Sequence, residues 1–192
     1  MNKLPSDYFY EQGSIKTSKT YMGNCFENCE NWGYLYDILI SSLLFFKGTP
    51  LNVLEIGVSL FGEKSSAHAF SKMPYVGQYV GVDVQPLVGE LENNHVFIRE
   101  NSDTYECLNK VQPYAPFDLM IHDGDHTPPS QTFFLKEYRS LLNLPGIMVV
   151  ENIIDDSVGN MIAADLRDES IHFINVPPRR NWGQRGILKV NF

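Results

Sequence analysis

Short apolar segments that alternate with segments of helical character most constrain the fold of this 192-residue chain. Alternation of this kind predicts a parallel sheet with helices on both faces, and nearly continuous apolar strands are typical of burial on both sides. The predicted strands are LNVLEIG (51–57), QYVGVDV (78–84), HVFIREN (95–101), FDLMIHD (117–123), GIMVVEN (146–152), SIHFINV (170–176) and GILKVNF (186–192). Helices are predicted at 62–73, 103–112, 130–143 and near 157–168.

The expected fold class is therefore α/β, with a Rossmann-like, seven-stranded, mostly parallel sheet flanked by helices. Residues 49–192 are expected to form this sheet domain within a single globular unit. Residues 26–47 carry apolar side chains at mixed spacings of three and four, which predicts an amphipathic helix that Gly48 ends. We expect residues 1–48 to be an arm and helix that serve as a lid or an oligomer contact.

Composition excludes several classes of function. The net charge is −8, so the chain lacks the basic surface of a nucleic-acid-binding protein. The basic cluster RRNWGQR (179–185) is expected to contact one anionic group or to be solvated. The longest apolar run, ILISSLLFF (38–46), is far shorter than the roughly 20 residues of a membrane span. Three cysteines and an N-terminus without an apolar signal core indicate a cytoplasmic protein with packed thiols.

Polar residues gather at the predicted carboxyl ends of the strands, which is where ligands bind in open sheets of this kind. The residues at these ends are Glu55 and Gly57, Asp83, Asn101 to Asp103, Asp123 to His126, Glu151 and Asn152. The sequence therefore predicts a ligand site along one edge of the sheet.

The first turn, EIGVSLFG, narrows the choice of ligand. It is neither the G-x-G-x-x-G of dinucleotide sites nor a P-loop, which disfavours a nucleotide oxidoreductase. An acid just before the first glycine suits a ligand with an amine and a carboxylate. The alternative is a plain strand-to-helix turn that uses glycine for its positive φ.

VLEIGVSLFG followed by YVGVDV resembles the cofactor site of class I S-adenosylmethionine (SAM)-dependent methyltransferases. The resemblance implies that Glu55 and Gly57 line the amino-acid end of SAM and that Asp83 binds the ribose hydroxyls. It also implies that Asn101 and Asp103 lie near the adenine. An ionised carboxylate at position 83 can accept hydrogen bonds from two hydroxyls at once.

FDLMIHDGDH and GIMVVEN resemble the metal-dependent macrolide sugar O-methyltransferases and the related cephalosporin-hydroxylase-like proteins. The resemblance implies that Asp123, Glu151 and Asn152 hold Mg²⁺ or Mn²⁺ beside the cofactor and that His126 is the general base. Asn152 replaces the usual second acid of the fifth strand. An amide oxygen remains a suitable ligand for a hard cation.

The residues themselves support a similar interpretation. Asp123 and Glu151 end neighbouring predicted strands, and oxygen ligands favour magnesium, calcium or manganese. His126 lies at the predicted start of a helix and can accept a proton near neutral pH. The alternative is a structural network in which Asp123 caps that helix and His126 pairs with Asp125. His122 is expected either to support the metal ligands or to be a core histidine.

The favoured function is a SAM- and metal-dependent O-methyltransferase that acts on a hydroxyl of a small acceptor, a sugar or a glycosylated metabolite. One alternative is a catechol-type methyltransferase, and another is a SAM-binding protein without turnover. We expect no nucleic-acid or membrane partner. The apolar segment 34–46 and the small domain favour a homo-oligomer.

Overall fold

Seven strands form one sheet in the computed structural model, which describes residues 38–48, 50–58, 66–91, 95–153, 171–174 and 185–191. Strands β1 to β5 pair in parallel, and β7 runs antiparallel to both β5 and β6. The spatial order is β3-β2-β1-β4-β5-β7-β6. The predicted mostly parallel sheet is confirmed. The strands are β1 (Leu51–Ile56), β2 (Val76–Asp83), β3 (Val96–Arg99), β4 (Phe117–His122), β5 (Leu142–Ile153), β6 (Ile171–Ile174) and β7 (Arg185–Asn191).

Helices cover both faces of this sheet. The described part of the chain contains α1 (38–47), α2 (Ser66–Ser71), α3 (Tyr105–Val111) and α4 (Pro128–Glu137). Single 3₁₀ turns follow α3 at Gln112–Tyr114 and α4 at Tyr138–Leu141. The structure thus contains a helix at each of the predicted positions 103–112 (α3) and 130–143 (α4), and α4 is shorter than predicted. The predicted helix near 157–168 and residues 1–37 lie outside the described residues.

Strand alternation sends successive side chains to opposite faces and so builds two cores. Odd-numbered residues such as Val53, Leu119 and Val149 pack with α1 and α2 on one face. Even-numbered residues such as Leu54 and Met120 pack with α3 and α4 on the other. The same alternation decides which functional side chains can meet at the sheet edge.

Helix α1 is fastened to the opposite, amino-terminal edge of the sheet. Its last residue, Lys47, forms an ion pair with Asp118, which is fully buried at the start of β4. Asp118 also accepts hydrogen bonds from the backbone nitrogen of Asn52 at 2.7 Å and from Nδ2 of Asn143 at 2.9 Å. Gly48 follows with a φ of 85°, which confirms the predicted end of the helix.

Strand β5 begins earlier than the sequence suggested, at Leu142 instead of 146. Leu142 and Asn143, the last residues of the predicted helix 130–143, lie inside the strand instead, as do Leu144 and Pro145. The β4–β5 pairing skips this stretch, since it passes from Phe117–Leu142 directly to Leu119–Ile147. A proline at such an irregularity removes no ladder hydrogen bond, so it does not end the strand.

No helix in the described ranges combines the length and the apolar character needed to cross a membrane. Of the three cysteines, Cys107 is described, and its thiol is free and buried on the inner side of α3, as predicted for a packed residue.

Candidate active site

Gly57 brings the end of β1 against the loop that follows β4. Its φ is +88°, a conformation that L side chains rarely adopt. A Cβ atom there would lie 2.5 Å from the backbone nitrogen of Gly124 and closer still to the carbonyl group of Asp123. Asp123 donates its backbone N–H to the carbonyl of Ile56 at 2.7 Å. The predicted cofactor turn and the predicted metal-binding loop are therefore in backbone contact.

Asp83, at the end of β2, holds this turn from its other side. Oδ2 of Asp83 accepts a hydrogen bond from the backbone nitrogen of Val58 at 2.9 Å, and Oδ1 accepts one from Gln85 at 2.8 Å. Gly57 donates its N–H to Val82 at 2.8 Å. A carboxylate oxygen can accept more than one hydrogen bond, so these amide contacts are compatible with the predicted ribose role of Asp83.

Glu55 is buried beneath the turn, with 4% of its surface exposed. Oε2 accepts a hydrogen bond from the hydroxyl of Tyr79. Gly81 lies opposite Glu55 in the β1–β2 register. A Cβ atom at Gly81 would lie only 3.0 Å from the Tyr79 hydroxyl, so the absence of a side chain there gives the hydroxyl room to contact Glu55. Glu55 therefore belongs to the interior of the site and is hydrogen-bonded to the protein itself.

Burial raises the pKa of Glu55 to about 7, while hydrogen bonds from Ser66 and Tyr79 oppose that rise and the charges of Glu151 and Asp83 add to it. The three carboxyl groups of Glu55, Asp83 and Glu151, here called the carboxylate cluster, lie near the carboxyl ends of β1, β2 and β5, respectively. The carboxylate cluster thus groups acidic side chains on one side of the sheet edge, and the charges of Asp83 and Glu151 act on Glu55. A cationic ligand would relieve the mutual repulsion.

The loop after β4 carries Asp123, Gly124, Asp125 and His126. Asp125 accepts a hydrogen bond from the backbone nitrogen of Thr127 at 3.0 Å and so shapes the approach to α4. His126 lies at the surface, and partial burial lowers its pKa below the usual value against the opposing charge of Asp125. A neutral imidazole at this place can accept a proton at neutral pH.

His122 occupies the opposite face of β4 and is fully buried. Its Nε2 lies 3.1 Å from the hydroxyl of Ser130, and its ring packs on Phe134 with centroids 5.1 Å apart. Burial lowers the pKa of His122 to about 4, so the ring is neutral. The Ser130 hydroxyl donates to Oδ1 of Asp103 at 2.8 Å. His122 is thus a core residue, and Ser130 connects it by hydrogen bonds to Asp103 in the loop after β3.

The loop after β3 is ordered by its own side chains. Oδ1 of Asn101 accepts the backbone N–H of Asp103 at 3.0 Å, and Thr104 caps α3 by accepting the N–H of Cys107 at 3.2 Å. The hydroxyl of Tyr138, from the turn after α4, donates to the carbonyl of Ser102 at 2.8 Å. The amide oxygen of Asn101 is thus used within the loop, whereas Asp103 accepts hydrogen bonds from Ser102 and Ser130.

The predicted metal ligands are partly placed. Asp123 follows His122 and Glu151 follows Val150, and His122 and Val150 are paired, so the two acids lie at the same level of adjacent strands. The side chain of Asn152 lies outside the described part of the chain. Among the described residues, no group of three or more His, Cys, Asp or Glu side chains is arranged to hold a metal ion. The donor set is all oxygen, which fits Mg²⁺ or Mn²⁺ in type.

Sequence reasoning missed three side chains of the site: Tyr79, Ser130 and Gln131. Gln131 is fully buried and donates from Nε2 to the backbone carbonyl of Glu151 at 3.2 Å. Tyr79 could have been suspected from its place two residues before Gly81, because a buried tyrosine needs a partner for its hydroxyl. Ser130 and Gln131 look like ordinary first-turn residues of a helix.

The strand order and the glycine turn at the end of β1 define the class I methyltransferase fold. No family model matches the chain, and no curated protein sequence matches it either. Solved structures do. MycE, a methyltransferase from the mycinamycin biosynthetic pathway in complex with Mg and S-adenosylhomocysteine (SAH), is 18% identical with a TM-score of 0.68. The alignment covers 98% of this chain and 56% of MycE, so the chain spans about half the length of that protein.

Two further structures show how widely the fold is used. CalS11, a TDP-rhamnose 3'-O-methyltransferase of calicheamicin biosynthesis, is 14% identical with a TM-score of 0.54, and the alignment covers 99% of this chain and 96% of CalS11. A ribosomal protein L11 methylase from Lactobacillus delbrueckii subsp. bulgaricus is 12% identical with a TM-score of 0.51, over 83% and 80% of the two chains. These similarities establish the fold.

Proposed function

We propose that this chain is a SAM-dependent, divalent-metal-dependent O-methyltransferase that acts on a hydroxyl of a small acceptor, a sugar or a glycosylated metabolite. The observation that carries the proposal is the backbone contact between the Gly57 turn and Asp123. This contact supports the proposal because it brings the proposed cofactor turn next to the loop that carries the proposed metal ligand Asp123 and the proposed base His126. SAM carries a sulfonium and an ammonium group, which suits the negative carboxylate cluster.

Each proposed role uses a group with a suitable position. Gly57 lets the cofactor turn approach the backbone of Asp123 because it has no side chain, and Asp83 presents carboxylate oxygens at the end of the neighbouring strand. Asp123, Glu151 and Asn152 would hold the cation through oxygen atoms. When bound, SAM supplies the methyl group and the cation makes the acceptor hydroxyl more acidic. His126 then takes the hydroxyl proton on a ring nitrogen, a role worth roughly 10²–10⁴-fold in rate.

Related solved structures support the small-molecule acceptor. One MycE structure contains Mg, SAH and mycinamycin VI, and CalS11 is described as a TDP-rhamnose 3'-O-methyltransferase. A ribosomal RNA methyltransferase also shares the fold, but a net charge of −8 disfavours a polyanionic acceptor. A cytoplasmic location and a homo-oligomeric state remain predictions.

The test is a transfer assay with labelled SAM over a panel of sugars, glycosides and catechols. Activity should disappear in chelator and return with Mg²⁺ or Mn²⁺. Asp123→Ala, which removes the oxygen ligand, should lose this metal response, whereas Asp125→Ala, which removes a neighbouring carboxylate of the same loop, should keep it. His126→Ala should lower turnover about 10²-fold or more while SAH still binds. Full activity in chelator, or a His126→Ala protein as fast as the parent, would disprove the mechanism.

A further inference from the structure

We infer that Ser130 and His122 are positioning residues that fix the carboxylate of Asp103 for recognition of the exocyclic amine of the cofactor's adenine. The inference rests on the proposed function, since it concerns the nucleoside end of the same SAM site. It assigns a role to two side chains that take no part in the transfer chemistry described above.

The direction of the hydrogen bonds follows from the chemistry of the three groups. An ionised carboxylate only accepts, so the single hydroxyl hydrogen of Ser130 points to Oδ1 of Asp103, 2.8 Å away. Ser130 must then accept from His122, whose Nε2 is 3.1 Å away and therefore carries the ring proton. Ser102 adds a second hydroxyl contact to the same Oδ1 at 3.2 Å. These hydrogen bonds fix Asp103 in one orientation.

The other oxygen of Asp103 is available to a ligand. Within the described residues, both side-chain hydrogen bonds of Asp103 end on Oδ1, and Oδ2 accepts none. The residue is partly exposed, four positions beyond Arg99, which pairs with Asp83 in the β2–β3 register. A nucleoside whose ribose meets Asp83 would extend its base toward the end of β3. An amino group is a donor that Oδ2 can accept, whereas a carbonyl oxygen at the same place would be repelled.

The arrangement is costly as a purely structural device. His122 is fully buried, and its Nδ1 has no hydrogen-bond partner in the described structure. An apolar side chain on this strand would avoid that unsatisfied acceptor. The three-residue chain instead connects β4, the first turn of α4 and the loop after β3. Such a connection is useful if the orientation of Asp103 matters for binding.

The experiment compares two ligands by calorimetry: SAH and S-inosylhomocysteine, in which a carbonyl replaces the adenine amine. The parent protein should bind SAH roughly ten- to a hundredfold more tightly than the inosine analogue. Ser130→Ala should lower this ratio by about three- to tenfold, mainly by weakening SAH. Ser130→Thr, which keeps the hydroxyl, should keep the ratio. Ser140→Ala is the matched control, because Ser140 is exposed and contacts only the carbonyl of Glu137.

Each outcome decides between the alternatives. An unchanged ratio in a folded Ser130→Ala protein, or equal affinity of the parent for both ligands, would overturn the inference while leaving the proposed function intact. A parent protein that binds neither ligand would overturn the proposed function and the inference with it. If Ser130→Ala does not fold, Ser130→Cys provides the same comparison, since a thiol has a similar shape and is a weak donor.

Discussion

Replacing Gly57 by alanine should separate the two loops whose contact defines the candidate site. A positive φ costs an L residue roughly 1–2 kcal/mol. The added Cβ would also overlap the backbone of Asp123 and Gly124, and neither can move without weakening the adjacent hydrogen bonds. Two such bonds are at risk, Gly57 to Val82 and Asp123 to Ile56, each worth about 0.5–1.5 kcal/mol. The expected total loss in the free energy of unfolding is about 2–5 kcal/mol.

Gly48→Ala is the matched control for this substitution. Gly48 has a φ of +85°, close to that of Gly57, but a Cβ there meets nothing within 4 Å. Both substitutions change the entropy of the unfolded chain alike, so the difference between them isolates the loop contact. Urea unfolding should show Gly57→Ala to be at least about 1 kcal/mol less stable than Gly48→Ala, and SAH affinity should fall only for Gly57→Ala. Equal losses of stability would refute the close approach of the two loops.

Three further predictions concern pH, the buried ion pair and assembly. The folded protein holds the Glu55 proton up to about pH 7, whereas the unfolded chain releases it near 4.5, so unfolding free energy should fall as pH rises through this window. Denaturation across this range should show a flatter profile for Glu55→Gln, and an unchanged profile would contradict the prediction. Asp118→Ala removes the ion-pair partner of Lys47 and should lower the free energy of unfolding, measured in urea, by about 3 kcal/mol. A loss under about 1 kcal/mol would mean that the pair contributes little to stability. Helix α1 exposes 83% of Phe45, so light scattering should show a homo-oligomer that Phe45→Asp weakens, and a monomeric parent would count against it.

The sheet was predictable because its signals are local. Each parallel strand is an apolar run ended by a polar residue or glycine, and burial on both faces leaves little choice of residue type. The end of α1 at Gly48 was likewise readable, since a positive φ favours glycine. The early start of β5 could not be predicted from the sequence. The pairing irregularity that accommodates Pro145 depends on the partner strand β4 and has no signature in the residues around Pro145.

The candidate site was predictable in its location but only partly in its contacts. Parallel strands bring their carboxyl ends to one edge of the sheet, so the sequence alone predicts Glu55, Asp83 and Asp123 at that edge. The partners of these groups come from distant parts of the chain. Tyr79 reaches Glu55 across a strand pair, and Ser130 meets Asp103 from a helix 27 positions away. Strand alternation separates the two sets of contacts, one on each face of the sheet.

The most direct test of the proposed function is calorimetric titration of the protein with SAH, with NADH as the comparison ligand. The account predicts saturable binding of SAH. Asp83→Ala should weaken this binding at least about tenfold, because the ribose hydroxyls would lose the carboxylate that accepts their hydrogen bonds. Glu90→Ala, at an exposed acid beyond the end of β2, should leave the affinity unchanged. NADH should not bind, since the turn after β1 lacks the pyrophosphate-binding glycines. Binding of NADH without binding of SAH would contradict the account.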